Sequence, residues 1–254
     1  MKVINVRDIM IGEGMPKVIV PLVEKTESKL IDECVRIMEF NPDIIEWRVD
    51  SLSTVEDLYS VQRLLELIRG EIGDIPLLFT FRTIEEGGNK KVSLPYYKEL
   101  LNTAIQSRLV DLVDIELNMD EETVNELVAS AKEFGVYVVM SNHDFQQTPM
   151  KEEIIRRLCK MQDLGADIPK IAVMSTNTKD VVTLLDASQE LRSKYLECPF
   201  IAISMGKMGI ISRLAGEIFG SAATFASVVN QSAPGQIPIS EVRNILHLIN
   251  HYSK

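Results

Sequence analysis

The chain has few cysteines and no long apolar run. Cys34, Cys159 and Cys198 are odd in number and widely spaced, with no paired-cysteine motif, so neither a disulfide framework nor a thiolate metal site is expected. The N-terminus lacks the apolar stretch of a signal peptide, and no run approaches the roughly 20 apolar residues that span a bilayer. These absences predict a soluble, cytoplasmic protein.

An excess of basic residues is also absent. Asp and Glu number 37 against 27 Lys and Arg, and the formal net charge is -10. Nucleic acid and anionic membranes both require a basic face, so neither is expected as a partner. An anionic small substrate would need a local group of arginines.

What the chain does have is a regular alternation of β-rich and helical segments. Eight β-rich runs start roughly 22 to 34 residues apart, about the length of a βα unit. They are residues 18–23, 44–49, 77–82, 110–117, 136–140, 170–174, 200–205 and 222–228. No linker divides the 254 residues, and a (β/α)8 barrel needs about 250. We therefore predict a single-domain α/β fold over residues 1–254, a (β/α)8 (TIM) barrel.

Segments between and outside these runs complete the prediction. Apolar stripes at helical spacing are expected to face the core. They are Ile31, Val35 and Met38; Leu58, Val61, Leu65 and Ile68; and Ile154, Ile155, Leu158 and Met161. Residues 3–6 and 8–11 are expected to form a short hairpin closing the barrel bottom. Residues 240–246 should form the eighth helix, with Ser240 as its cap.

Polar side chains alternate with apolar ones in several of the predicted strands. Strands of a parallel barrel are normally apolar on both faces, and barrel enzymes place their sites at the strands' C-terminal ends. We therefore expect one pocket at that end, lined by Glu46, Arg48, Arg82, Glu116, His143 and Lys170. For Asp50, Asp114 and Glu116, an ion-pair network that braces the barrel is favoured over direct catalysis.

Lys170 interrupts an otherwise apolar strand. A buried amine requires a partner or loses its proton, and a desolvated lysine becomes a nucleophile for carbonyl groups. His143 ends a neighbouring apolar strand and could move protons beside that amine. The pair predicts imine chemistry.

Loops at the same end carry further candidates. Glu86 follows the third strand and could orient His143, although a solvated loop charge is an equal alternative. Arg213 is expected near a helix start, a position suited to anion binding. The turn-rich segment 230–236 could be a lid, or an ordinary connection.

No metal site or nucleotide loop is expected. His247 and His251 have metal-binding spacing, yet they lack a suitable third ligand nearby and an intervening glutamate. Gly206 and Gly209 make only a weak glycine pattern.

Seven segments together resemble the type I 3-dehydroquinate dehydratases of the shikimate pathway, over essentially the whole chain. They are EWRVD at 46–50, FTFR at 79–82, DIEL at 114–117, VVMSNHD at 138–144, IPKIA at 168–172, ISRL at 211–214 and SAPGQ at 232–236. The resemblance implies a hydro-lyase that acts on 3-dehydroquinate without a cofactor, and a homodimer.

The resemblance also implies roles for individual residues. Lys170 forms a Schiff base with the substrate ketone, His143 is the general acid and base, and Glu86 orients it. Arg213, with Ser232 and Gln236, resembles the clamp for the substrate carboxylate. Glu46 and Arg82 resemble the residues that hold the ring hydroxyls, with Arg48 nearby.

Two alternatives remain open at this point. A class I aldolase also needs a strand lysine, but no glycine-rich phosphate loop follows the seventh and eighth strands. A non-catalytic barrel could hold an anion with its arginines, yet it would not need a buried lysine beside a histidine.

Overall fold

The computed structural model describes residues 2–228 and 232–253. Its ten strands are β1 (Ile4–Val6), β2 (Ile9–Ile11), β3 (Lys17–Leu22), β4 (Ile44–Arg48), β5 (Leu77–Thr80), β6 (Leu112–Glu116), β7 (Tyr137–Asp144), β8 (Ile168–Met174), β9 (Ile201–Met205) and β10 (Ala223–Phe225). β1 and β2 form an antiparallel hairpin. The other eight strands pair in parallel in the order β10-β3-β4-β5-β6-β7-β8-β9.

The strands at the two edges of this sheet, β10 and β9, come together and close the sheet into a barrel. A parallel bridge joins Phe200 to Ser221, and the N–H of Ala222 donates to the carbonyl of Phe200 at 2.7 Å. The predicted (β/α)8 barrel is therefore confirmed, with all eight predicted β-rich runs in it.

Helices lie between successive strands and after the last. They are α1 (Glu27–Met38), α2 (Leu58–Ile72), α3 (Leu94–Ser107), α4 (Glu121–Phe134), α5 (Lys151–Asp163), α6 (Thr178–Glu190), the short α7 (Ile210–Leu214) and α8 (Gly216–Phe219), and α9 (Ile239–Tyr252). Local capping helps define their ends: the Asp120 carboxylate accepts from the N–H of Thr123 at the start of α4, and Gly135 ends that helix in a left-handed conformation.

The predicted apolar stripes are correct in α2 and α5 and wrong in α1. In α1 the buried apolar residues are Leu30, Cys34 and Ile37, whereas Val35 is half exposed. The predicted and the observed stripe have the same helical spacing and are offset by one residue, so periodicity did not distinguish them.

The predicted cap of α9 is also wrong. Pro238 occupies that position, and Ser240 lies inside the helix and is exposed.

The core has two layers. Apolar side chains of the helices pack against the outward faces of the strands. A second cluster fills the lower barrel, where Ile4, Val6 and Ile11 of the hairpin pack with strand residues such as Ile44 and Ile168. The hairpin thus closes the barrel bottom, as predicted, and leaves the C-terminal ends of the strands for a site. No helix in residues 2–228 and 232–253 is long and apolar enough to cross a membrane.

Candidate active site

A cavity opens at the C-terminal ends of the strands, the end at which barrel enzymes place their sites. All nine side chains predicted to act there line it: Glu46, Arg48, Arg82, Glu86, His143, Lys170, Arg213, Ser232 and Gln236. Glu116, which was also predicted to line the pocket, is absent from this lining. It lies behind Arg82 and holds it by an ion pair of 2.7 Å.

Lys170 projects into the cavity from β8 and is 4% exposed. Its Nζ lies 3.5 Å from Asp114 Oδ2 and 3.7 Å from Glu46 Oε1. The amine also lies over the ring of Phe225, 4.5 Å from its centroid, where the negative ring face attracts a cation. These contacts offset the cost of burying an ammonium group, and they hold the amine at the cavity wall.

His143 projects into the same cavity from β7, next to β8. In the parallel ladder Ser141 pairs with Lys170, and His143 pairs with Ala172. The imidazole therefore lies on the same face of the sheet as the amine, two residues further toward the C-terminal ends of the strands. β7 is longer than the predicted run 136–140 and contains His143, because pairing with β8 continues to Asp144. The parallel ladder therefore fixes the histidine beside the lysine.

Glu86 contacts the histidine directly. It ends a short 3₁₀ helix after β5 and is 2% exposed. Its Oε2 accepts from the backbone N–H of His143 and lies 3.0 Å from the ring Nδ1. Glu86 is therefore not a solvated loop charge, whereas its neighbour Glu85 is exposed. With the Nδ1 proton donated to the carboxylate, Nε2 remains available to accept a proton.

Burial disfavours the charged forms of both members of this pair. It raises the pKa of Glu86 to about 8, against the opposing effect of Arg82. Burial, with the positive charges of Arg82, Lys170 and Arg48, holds the pKa of His143 well below its ordinary value. The resting imidazole is therefore neutral, as a general base must be.

Arg82 is the centre of a buried ion-pair network. Its Nη2 donates to Asp114 at 2.8 Å, and its Nη1 donates to Glu116 at 2.7 Å and to Ser141 at 2.8 Å. Glu86 lies 3.5 Å from the same Nη1. These carboxylates raise the pKa of Arg82 despite its burial. Asp114 and Glu116 thus have the bracing contacts predicted for them.

Arg48 and Glu46 follow one another on the cavity face of β4. Arg48 makes two hydrogen bonds to Asp50, of 2.7 and 3.0 Å, so Asp50 also braces the site as predicted. Glu46 accepts from the hydroxyl of Thr80 at 3.0 Å. Both side chains are thereby held with their remaining surface toward the cavity.

Arg213 differs from the other cations of the cavity. It is 1% exposed, and within residues 2–228 and 232–253 no carboxylate lies within 4.0 Å of its guanidinium. Burial alone lowers its pKa to about 10, and its Nε has no hydrogen-bond partner there. A buried positive charge without a partner is suited to bind an anion.

The expected placement of Arg213 near a helix start is wrong. Arg213 lies in the last turn of α7, which has five residues, so free N–H groups at a helix start do not assist it. Instead, its Nη2 donates to the carbonyl of Pro234 at 3.0 Å. The arginine is therefore tied to the segment after β10.

That segment borders the cavity. The Gln236 amide donates to the Ser232 hydroxyl at 2.9 Å, and its oxygen accepts from the N–H of Ser232. The N–H of Gly206 donates to Pro234. Residues 229–231, including Asn230 and Gln231 of the predicted lid, lie outside the described residues.

Sequence reasoning missed several residues of the site. Phe145 and Phe225 line the cavity, and Asn118 and Asn142 donate to Glu86. A lone aromatic residue, such as Phe225 in β10 or Phe145 just after β7, has no distinguishing pattern. Asn142 lies within the motif around His143, but its parity places it on the opposite face of β7, so alternation argued against it.

The two histidines of α9 are both exposed. Among residues 2–228 and 232–253, no group of three or more His, Cys, Asp or Glu side chains could hold a metal ion.

Comparisons with known proteins give one consistent result. The family model for type I 3-dehydroquinase matches residues 18–253. The 3-dehydroquinate dehydratase of Bacillus velezensis is 51% identical over 252 residues, which cover 99% of this chain and 100% of that protein. The crystal structure of the type I 3-dehydroquinate dehydratase of Clostridium difficile with covalently modified comenic acid has a TM-score of 0.96 and 48% identity, covering 99% of this chain and 98% of that one.

A second solved structure agrees. The 3-dehydroquinate dehydratase of Geobacillus kaustophilus is 38% identical with a TM-score of 0.97, covering 100% of this chain and 98% of that one. Both the sequence and the fold therefore match along the full length of the relatives, and the chain belongs to the type I 3-dehydroquinase family.

Proposed function

We propose that this protein dehydrates 3-dehydroquinate to 3-dehydroshikimate, a step of the shikimate pathway, without a cofactor. One observation carries the proposal: the amine of Lys170, the His143–Glu86 pair and the unpaired charge of Arg213 all line one cavity. A nucleophile, a proton carrier and an anion site are the groups that this reaction needs.

The first step is imine formation. The Lys170 amine attacks the ketone carbon of the substrate, and loss of water gives a Schiff base. The positive charge of its protonated form then accepts electrons from the adjacent carbon, so that carbon becomes acidic.

His143 carries out the proton transfers. Its neutral Nε2 removes a proton from the carbon next to the imine, which leaves an enamine. The resulting imidazolium then protonates the departing hydroxyl, which leaves as water, and hydrolysis of the imine releases the product and free Lys170. Glu86 stabilises the imidazolium and fixes its orientation.

The remaining side chains orient the substrate. Arg213, with Ser232 and Gln236, binds the carboxylate, since its charge has no carboxylate partner within the described residues. Glu46 and Arg82 hold ring hydroxyls, and Arg48 lies beside them.

We also infer a homodimer in the cytoplasm. The three cysteines are free thiols, which suits a reducing compartment. Exposed apolar side chains on α7, α8 and α9 could be covered by a second copy of the chain.

The proposal is tested by incubating the purified protein with 3-dehydroquinate. We expect the ultraviolet absorbance of a conjugated enone to rise and the substrate mass to fall by one water. A class I aldolase would instead cleave or join carbon chains of sugar phosphates, and a simple binding protein would leave the substrate unchanged. Either of those outcomes would refute the dehydration.

A further inference from the structure

The two oxygens of Glu86 have separate sets of partners. Oε2 faces the backbone and ring of His143. Oε1 accepts from two side-chain amides, Asn142 at 3.1 Å and Asn118 at 3.0 Å. Asn142 is 2% exposed and Asn118 is exposed, so the hydrogen bond from Asn142 is better shielded from water and contributes more.

The orientation of the Asn142 amide is set from outside the barrel. Nη1 of Arg157, on α5, donates to Asn142 Oδ1 at 2.8 Å. Arginine has only donors, so the amide oxygen must face it and the amide nitrogen must face Glu86. Arg157 is held in turn by Glu153, at 2.7 Å. A chain of contacts thus runs from a surface helix to the Glu86–His143 pair.

We propose that Asn142 and Arg157 are positioning residues for this reaction: Arg157 orients the Asn142 amide, and that amide holds the Glu86 carboxyl turned toward His143 Nδ1. The inference rests on the proposed function for its effect on turnover. Neither residue touches the reacting atoms in the steps proposed above, so both act through Glu86.

The surroundings of Glu86 explain why one amide matters. The charged and titratable groups facing it are Arg82, Asp114, Glu116 and His143. Burial is the main cause that raises the pKa of Glu86, and the carboxylates of Glu116 and Asp114 raise it further, while Arg82 and the hydrogen bond from Asn142 lower it. Loss of that hydrogen bond therefore favours the protonated acid, which leaves His143 without a carboxylate partner.

Two substitutions at Asn142 test this step. Asn142→Leu removes the donor, and Asn142→Asp replaces it with a third carboxylate of the same size. Because hydrogen bonds to a charged group are stronger than those between neutral groups, we expect kcat to fall about tenfold or more in both. The acid limb of the kcat profile should move to higher pH, further in Asn142→Asp, with KM little changed.

Arg157 has a matched control beside it on α5. Arg156 also pairs with Glu153, at 2.7 Å, but it lies 63% exposed and makes no hydrogen bond to Asn142. We expect Arg157→Leu to lower kcat severalfold and move the acid limb in the same direction. Arg157→Lys should restore part of the loss, because its ammonium still donates, and Arg156→Leu should behave as the parent.

A second readout does not require turnover. The chain has three histidines, so ¹⁵N-histidine labelling gives three pairs of ring-nitrogen signals, and His143→Gln identifies one pair. We expect the Nδ1–H tautomer in the parent and in Arg156→Leu, and its loss in Asn142→Leu. A parent without turnover would refute the proposed function alone. Parental pH profiles and tautomer in Asn142→Leu, or identical behaviour of Arg157→Leu and Arg156→Leu, would overturn the inference.

Discussion

The charged side chains of the cavity differ in whether an opposite charge holds them. Arg48 forms an ion pair with Asp50, and the amine of Lys170 lies within 4.0 Å of two carboxylates. The positions of both cations are therefore fixed before any ligand binds. Arg213 has no such partner within the described residues. The cavity therefore combines cations held by carboxylates with one guanidinium that has no carboxylate partner within the described residues.

The substitution His143→Ala tests the division of labour between lysine and histidine. The variant should still form the imine, because Lys170 is intact, but it should barely eliminate water. General acid–base catalysis contributes about a hundred- to ten-thousand-fold, and we expect a loss of that size mainly in kcat. Steady-state kinetics measure it, and near-parental kcat would remove His143 from proton transfer.

At this scale, polar residues in apolar strands and the bracing carboxylates among them were predictable, whereas partners on loops and helices mostly were not. Lys170 and His143 are recognisable in the sequence because each is a polar, titratable residue in or at the end of an apolar run. Glu86 and Glu85 are indistinguishable in sequence, and only the turn of the 3₁₀ helix buries one of them. Asn118 and Arg157 have no pattern at all, because their contacts depend on how α5 and the loop after β6 pack.

At the scale of elements, the site depends on how the segment after β10 meets the loop after β9. Gly235 has a φ of +82°, and a Cβ there would lie 2.6 Å from the carbonyl oxygen of Gly206. That close approach places Pro234 within reach of Gly206 and Arg213. Backbone contact thus positions the arginine.

Gly235→Ala should therefore displace Pro234 and loosen Arg213. We expect KM for 3-dehydroquinate to rise severalfold while kcat changes less, because binding of the carboxylate is weakened. Gly14→Ala is the control: Gly14 also has a positive φ, +68°, but nothing lies within 4 Å of its added Cβ. Equal KM values in the two variants would show that the approach to Gly206 does not position the site.

Element types were predicted well and their boundaries less so. Apolar runs bounded by polar loops identify all eight strands, since a buried strand requires both features. β7 and β8 extend beyond their predicted ends because strand pairing continues through polar residues such as Asn142 and through Pro169. Pairing of this kind depends on the neighbouring strand, which a single segment does not reveal.

For the whole molecule, a net charge of -10 surrounds a site that must attract an anion. Long-range repulsion opposes binding, and buried cations overcome it only at short distance. The surface also leaves apolar side chains exposed, among them Ile211, Ile218 and Leu248 on α7, α8 and α9. Such exposure favours association of two copies.

We expect light scattering after size-exclusion chromatography to give twice the 28.6 kDa mass of the chain. The exposed apolar side chains of α7, α8 and α9 would be covered in the dimer, so the mass should remain doubled on dilution into the micromolar range. A mass of one chain at every concentration would contradict the homodimer.

The central claim is that Lys170 forms an imine with the substrate, and borohydride reduction followed by peptide mass spectrometry tests it most directly. With 3-dehydroquinate and borohydride, the parent and His143→Ala should each carry one stable adduct on the peptide containing Lys170. The Lys170→Ala variant should carry none. A parent that turns over substrate without an adduct, or a Lys170→Ala variant that retains one, would contradict the account.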